Sequence, residues 1–380
     1  MPITNSPEVL LFAKGGRRTR LEAINGGEEA PREFFYGYFS LVEAGIPTAL
    51  MSVSGPINGW TGHLVSLIER IFIRIIGIGA RPLTLSLEMP RLKGAKVLIS
   101  CVDGFSLTLG LGNISKDIFR IGGFQGFSDI LGRCPAFFRP LARRLLCRAL
   151  RNLDHVFFLS PADQKNAIEN YGLSEGKSTL VPFGVDTEFW RPEFTLAPEN
   201  WTFSVGQDRN RDFQSLVQAP GNHEIRIHTP LQLNIPNGAK HISLSKGGYF
   251  SRERISDAEL RDLYQRCLCV VVPLVDVYQP SGQSVTLQAM SCGKPVILTK
   301  TRGLWDYDNL RDGENCIFVP PQDPQAISAA ISRLKTDQQY YSHISKAARE
   351  TALHQFGLQR MGEAFINLAK IGLISKKLDL

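Results

Sequence analysis

Not one of the seven cysteines, at positions 101, 134, 147, 267, 269, 292 and 316, forms a CxxC pair with another. The odd count and the placement of several inside apolar runs, such as Leu268-Cys269-Val270, exclude a disulfide framework and a zinc site. They read as reduced, buried thiols of a cytosolic protein. The seven histidines show no metal-ligand spacing, so no metal is expected. The opening Met1-Pro2-Ile3-Thr4-Asn5-Ser6-Pro7 lacks the charged-then-apolar order of a signal peptide. The most apolar run, Leu64 to Gly79, is interrupted by Glu69, Arg70 and Arg74, too short and too charged to span a bilayer. There is no short repeat, no low-complexity tract and no aromatic-interleaved basic motif, so a nucleic-acid partner is not expected.

What is present describes a soluble globular protein. Hydrophobic residues make up 43% and charged residues 21% of 380 residues, enough chain for two cores of ordinary size. The net charge of +7 is uneven: residues 1–185 hold 21 basic and 15 acidic side chains, and the remainder 22 and 21. A basic first half beside a near-neutral second half suits an anionic partner such as a membrane surface or a lipid phosphate; a general solubility bias is the plainer alternative.

Apolar runs alternate with helix-period segments, the pattern of parallel sheets with crossover helices. In the first half, strands are expected at Val9–Ala13, Thr48–Val53, Lys96–Cys101, Ile118–Gly122 and Val156–Ser160. Helices are expected at Pro31–Ala44, stopped by Gly45, and at Pro140–Leu153. The second half repeats this grammar with strands at Ser178–Pro182, Thr202–Gly206, Glu224–His228, His241–Leu244, Leu268–Pro273, Pro295–Thr299 and Cys316–Val319. Ser256-Asp257-Ala258-Glu259 is a capping box opening a helix. Another helix runs from Ser284 to Ser291 with Gly293 at its end. Two Rossmann-like halves result, joined where Pro and Gly cluster between Phe183 and Pro198.

The most informative stretch is Val277-Tyr278-Gln279-Pro280-Ser281-Gly282-Gln283-Ser284-Val285-Thr286-Leu287-Gln288, where a loop leaving a buried strand enters a helix. Free N–H groups and the helix dipole make that entry an anion site, and Gly282 lets backbone approach a ligand. Gln288 shares a helix face with Ser284 and could hydrogen-bond a sugar hydroxyl; an ordinary capped helix is the bland alternative. The stretch resembles the signature region of family 4 glycosyltransferases, the glycosyl transferases group 1 of GT-B fold. So do Gly303-Leu304-Trp305-Asp306-Tyr307 and Asp312-Gly313-Glu314-Asn315-Cys316. Pro182-Phe183-Gly184-Val185-Asp186-Thr187-Glu188-Phe189-Trp190-Arg191-Pro192 resembles that family's domain-linking motif. Several motifs in order are more specific than one Gly-rich loop.

The resemblance implies an α/β protein of two Rossmann-like domains with an interdomain cleft. The N-terminal, acceptor-side domain would span 1–184, the nucleotide-sugar domain 185–357, and a helix at 358–380 would return to the first. It implies hexosyl transfer from a UDP- or GDP-sugar, with no other cofactor. The donor would meet Gly206, Arg209, Arg211, Ser281, Gly282, Gln283, Ser284 and Gln288. Arg211 falls where the family has a Lys; Gln207 falls where it has an Arg, for which Arg209 would substitute, guanidinium forks suiting phosphate. The family's two Glu are replaced by Pro280 and Gln288, leaving the sugar open, with Gln279 or Asp276 as substitutes. Gln125 stands where the family carries a His. If transfer is retaining, the leaving phosphate takes the acceptor proton; if inverting, Asp103 or Asp129 is the base. Asp103 has a helix N-cap as its structural alternative.

Arg17, Arg18 and Arg20, after the first strand, are expected to hold an acceptor phosphate. Leu64–Gly79 places Ser66, Glu69, Arg70 and Arg74 in one sector of roughly 140°, leaving a broad apolar face. Arg133, Arg139, Arg143, Arg144, Arg148 and Arg151 lie among Phe, Leu and Ala. Either segment would suit an anionic lipid surface or, alternatively, a core-packed helix with a solvated rim. The expected protein is a cytoplasmic glycosyltransferase, peripheral on the inner face of a membrane, acting on a cell-envelope, lipid-linked or polysaccharide acceptor. Its rival is a non-catalytic nucleotide-binding partner or scaffold of the same fold.

Overall fold

The structure, a computed structural model, describes residues 7–13, 16–51, 60–88, 92, 94–248 and 255–378. The chain divides into two compact units. Unit 1 holds residues 1–28, 34–182 and 359–380, and unit 2 holds 29–33 and 183–358. Against the expected first domain of 1–184, the second unit therefore takes Glu29–Glu33 as well as Phe183 and Gly184.

In unit 1 the strands are β1 (Val9–Phe12), β2 (Thr48–Met51), β3 (Val97–Ser100), β4 (Phe119–Phe124), β5 (His155–Phe158) and β6 (Ser178–Leu180). They form one sheet in the order β2-β1-β3-β4-β5-β6, every neighbour pair parallel. β1, β3 and β5 are buried along their whole length, as strands covered on both faces must be. The helices are α1 (Arg17–Asn25), α2 (Tyr38–Glu43), α3 (Trp60–Ile76), α4 (Pro82–Glu88), α5 (Asp103–Leu111), α6 (Arg139–Asn152) and α7 (Pro161–Tyr171). The expected continuous helix over Pro31–Ala44 is corrected: a short 3-10 turn at Glu33–Phe35 precedes α2. Tyr36 between them has φ 53°, a left-handed value that ends any helix reaching it. The expected strand Thr48–Val53 is β2; residues 52 and 53 lie outside the described residues.

Unit 2 contains β7 (Trp201–Val205), β8 (Glu224–His228), β9 (Ile242–Ser245), β10 (Cys269–Val272), β11 (Val296–Thr299) and β12 (Ile317–Val319). Their order is β12-β11-β10-β7-β8-β9, again all parallel. Its helices are α8 (Phe213–Val217), α9 (Asp257–Arg266), α10 (Gln283–Ser291), α11 (Pro324–Thr336) and α12 (Gln338–Gln355). The last helix, α13 (Leu358–Leu378), packs within unit 1. There Gly37 lies so close to the Phe365 side chain that a Cβ would overlap it, and Gly362 does the same against Ser40.

Strand order locates the functional ends. Ligands in open α/β sheets bind beyond the C-terminal ends of strands where the order reverses. In unit 2 the reversal lies between β7 and β10, and in unit 1 between β1 and β3.

Candidate functional site

The loops leaving β7 and β10 meet at the unit 2 reversal. Backbone bonds join them: Asp212 N–H donates to Pro273 O at 2.9 Å, and Val275 N–H to Asn210 O at 2.9 Å. Side chains add a second layer. The Ser281 hydroxyl donates to Asp208 Oδ2 at 2.6 Å, and Asn210 Nδ2 donates to Ser281 Oγ at 3.0 Å and to Gln279 Oε1 at 3.3 Å. The sequence reading missed Asp208 and Asn210, although a short polar run after a buried strand was the signal available.

This cross-bracing fixes Arg211, which is only 8% exposed. Its guanidinium is packed between two glycines: a Cβ on Gly206 would lie 2.5 Å from Nε, and one on Gly282 would lie 3.4 Å from Nη1. Arg211 Nε and Nη1 are buried and have no hydrogen-bond partner among the described residues. Burial lowers the Arg211 pKa to about 10, against the attraction of Asp208. Gln283 Nε2 and Thr286 Oγ1 are buried without partners in the same helix, α10. An arginine left in this state needs a compensating anion.

α10 itself is exceptional within unit 2. Asp212, Ser256, Asp323 and Asp337 each accept a backbone N–H at the start of α8, α9, α11 and α12. α10 starts at Gly282, with φ 80° and no side-chain cap. Its first amides are thus left for another acceptor. Of the sequence-predicted donor residues, Gly206, Arg211, Ser281, Gly282 and Gln283 are brought together here. Ser284 is half-buried one residue on, and Arg209 is exposed on the loop between β7 and Arg211.

Gln288 faces elsewhere. It is 3% exposed, accepts from the Tyr264 hydroxyl at 3.3 Å, and donates through Nε2 to Glu33 Oε1 at 2.9 Å. Glu33 is fully buried and also accepts from Trp190 Nε1 at 2.8 Å. Burial pushes its carboxyl pKa up. Nearby, Glu29 pairs with Arg191 at 2.7 Å and Arg261 at 3.0 Å, and hydrogen bonds from these two hold it down to about 2. Glu29–Glu33 is therefore a built-in part of unit 2. Asp276 is committed to Arg302, whose Nε lies 2.9 Å away and whose backbone N–H it accepts.

In unit 1, Asp103 is the first residue of α5, whose N-cap is Val102, so Asp103 does not take the N-cap position that is the alternative to a catalytic role. Asp103 Oδ1 instead accepts the Gln125 backbone N–H at 2.6 Å. The Gln125 side chain donates to Cys101 O at 2.6 Å and to the Tyr36 hydroxyl. Asp163, fully buried, accepts the backbone N–H of Phe127 at 3.1 Å and Ser128 at 2.9 Å. Burial raises its pKa to about 6. Asp129, half-buried, follows on the same turn. Arg17 and Arg20 both lie over the Phe34 ring, at 4.7 and 5.5 Å, whereas Arg18 points outward to Glu22 at 3.2 Å. Among the described residues, no three His, Cys, Asp or Glu side chains gather as a metal site.

Residues 238–337 match the model of the glycosyl transferases group 1 family. Over nearly the whole chain the backbone is similar to HepE from Anabaena, solved in complex with UDP and glucose. The TM-score is 0.60 at 15% identity, covering 96% of this chain and 100% of that one. The fold is GT-B. Among curated sequences, this GT-B chain is 22% identical over 236 residues to the MMP alpha-(1->4)-mannosyltransferase of Mycolicibacterium hassiacum, covering 58% of this chain and 56% of the relative. It is 28% identical over 91 residues to the lipopolysaccharide core biosynthesis glycosyltransferase LpsE of Rhizobium meliloti, covering 24% of this chain and 26% of the relative. The GT-B chain spans between 26% and 56% of the length of the curated relatives it matches.

Proposed function

We propose that this chain is a nucleotide-sugar-dependent glycosyltransferase, with the donor diphosphate at Arg211 and the N-terminus of α10. The observation that carries the reading is the buried Arg211 guanidinium, with Nε and Nη1 unpartnered, facing a helix start that no side chain caps. Two negative phosphates would neutralise the one and accept from the other. Stabilising the same diphosphate as it departs would be the main catalytic contribution of these groups. The UDP bound in the HepE structure supports a nucleotide-sugar donor here, and the names of the curated relatives support a glycan or lipid-linked acceptor.

We read transfer as retaining. The engagement of Asp103 with the Gln125 backbone, and of the Gln125 amide with Cys101 and Tyr36, supports positioning roles for both. A panel of UDP- and GDP-sugars, assayed for binding, donor hydrolysis and transfer, tests the reading. Turnover of one donor with a retained anomer by NMR is the expected result. Nucleotide binding with no turnover from any donor would instead establish the non-catalytic alternative. No binding of either nucleotide would remove the phosphate site altogether.

A further inference from the structure

We propose that α3, α4 and the start of α6 form a docking surface for an anionic membrane. α3 buries its acidic residue and exposes an apolar stripe. Its one acidic residue, Glu69, is 3% exposed and accepts hydrogen bonds from the Thr84 backbone N–H at 2.8 Å and from the Thr84 hydroxyl. Leu64, Leu67, Ile68 and Ile71 are 45–54% exposed, and Trp60 is 81% exposed. Positions 60, 64, 67, 68 and 71 fall on one helical stripe. A core-packed helix with a solvated polar rim would show the reverse arrangement. Apolar stripes of this kind on a soluble surface mark an interaction site.

The patch continues on the neighbouring elements. On α4, Leu83 and Leu87, one turn apart, are 45% and 48% exposed. At the end of α3, Gly77 abuts the main chain of Arg133, to whose carbonyl oxygen a Cβ would lie 2.6 Å. A few residues on, Phe137 is 87% and Leu141 46% exposed.

Charge decides the occupant. Residues 60–88 and 131–152 contain nine arginines and two glutamates, an excess equal to the +7 of the whole chain. One of the two glutamates is the buried Glu69, while Arg70, Arg74, Arg144, Arg148 and Arg151 are exposed. A second copy would set arginines against arginines. An anionic bilayer accepts the aliphatic side chains and the indole while its headgroups neutralise the guanidinium groups. Among the described residues no helix is long and apolar enough to cross a membrane, so the helices would lie on the surface. Docking does not depend on the glycosyl-transfer reading: a chain without turnover would bind lipid equally.

Co-sedimentation of the full chain with phosphatidylcholine vesicles, with and without phosphatidylglycerol, tests the proposal. The parent should bind only the anionic vesicles, and added salt should weaken binding. Leu67→Gln with Ile71→Gln, and separately Arg70→Glu with Arg74→Glu, should each lower the bound fraction by roughly tenfold, with thermal unfolding unchanged. Trp60→Ser, at the most exposed position of the stripe, gives a second test should a double variant fail to fold, and should also weaken binding. A parent that ignores anionic vesicles overturns the proposal. So does a lipid-free dimer that Leu67→Gln with Ile71→Gln dissociates, which would make the stripe a self-association face.

Discussion

The two units share an architecture, and two pairs of strand-end loops, after β3 and β4 in one and after β7 and β10 in the other, use their side chains differently. After β3 and β4 in unit 1, carboxylates close the backbone: Asp103 holds Gln125, Asp163 holds Phe127 and Ser128, and the Gln125 amide is spent on Cys101 and Tyr36. After β7 and β10 in unit 2, carboxylate and amide groups brace the loops against each other, yet two buried nitrogens of the Arg211 guanidinium remain without a partner. Satisfied polar loops make a framework; unsatisfied cationic ones make a receptor.

The largest expected effect sharpens the receptor side of that contrast. Arg211→Ala should weaken binding of the nucleoside diphosphate by about 1.5–3 kcal/mol, or ~10–150-fold. Calorimetric titration measures it, and equal affinities in parent and variant would place the diphosphate elsewhere. The same variant should cost little stability, because the side chain it removes keeps two buried nitrogens without a partner.

Next comes the part of unit 2 that resembles unit 1 in being closed. Glu33→Leu strands three donors, Trp190 Nε1, Gln288 Nε2 and the Asp186 backbone N–H, and should cost about 1–3 kcal/mol of unfolding free energy. Glu33→Leu with Gln288→Leu should cost less than the two single changes summed, since the pair goes together. Strict additivity in urea melts would mean that the two side chains do not act as a pair.

A pH effect separates the frameworks. Asp163, raised from an ordinary 3.8 to about 6 by burial, favours the fold most when protonated. Its contribution is complete below the ordinary value and is lost as pH rises through about 6. The parent should therefore lose melting temperature, relative to Asp163→Asn, as pH climbs through that window. Parallel melting profiles for the two proteins would show that Asp163 is not the titrating group.

Smallest is Asp103→Asn. The amide oxygen can still accept the Gln125 N–H, so any transfer rate should fall by less than ~10-fold, well short of the loss of a general base. A drop of several orders of magnitude would turn the unit 1 loop from framework into catalytic machinery.

Much of this contrast was legible in the chain. Strands such as Glu224–His228 and the Ser256 capping box stand where their local chemistry puts them. So does the entry to α10, because Gly282 beside a buried strand is a local signal. Less visible were features set by distant partners. Gln288 reads as a ligand-facing amide until Glu33, 255 residues away, is found against it. Tyr36 breaks an apparently continuous helix, a backbone conformation that no periodicity reports. α3 gave its polar sector correctly, but which side of a helix faces inward depends on a neighbour, and Thr84 draws Glu69 inside.

The brief segment Glu29–Glu33 bears on the order in which the protein is made. Ribosomes deliver it first, and Asp186, whose backbone meets Glu33, follows 153 residues later. At ordinary elongation rates of about 5–20 residues per second that interval is roughly 8–30 s. Throughout it, Glu33 has neither Trp190 nor Gln288 to receive from, and Glu29 lacks Arg191 and Arg261. The second half consequently cannot finish its interior from its own stretch of message. A fragment beginning at Phe183 would leave the Trp190 indole without its acceptor, and a short peptide carrying residues 29–33, added in trans, is what would restore it.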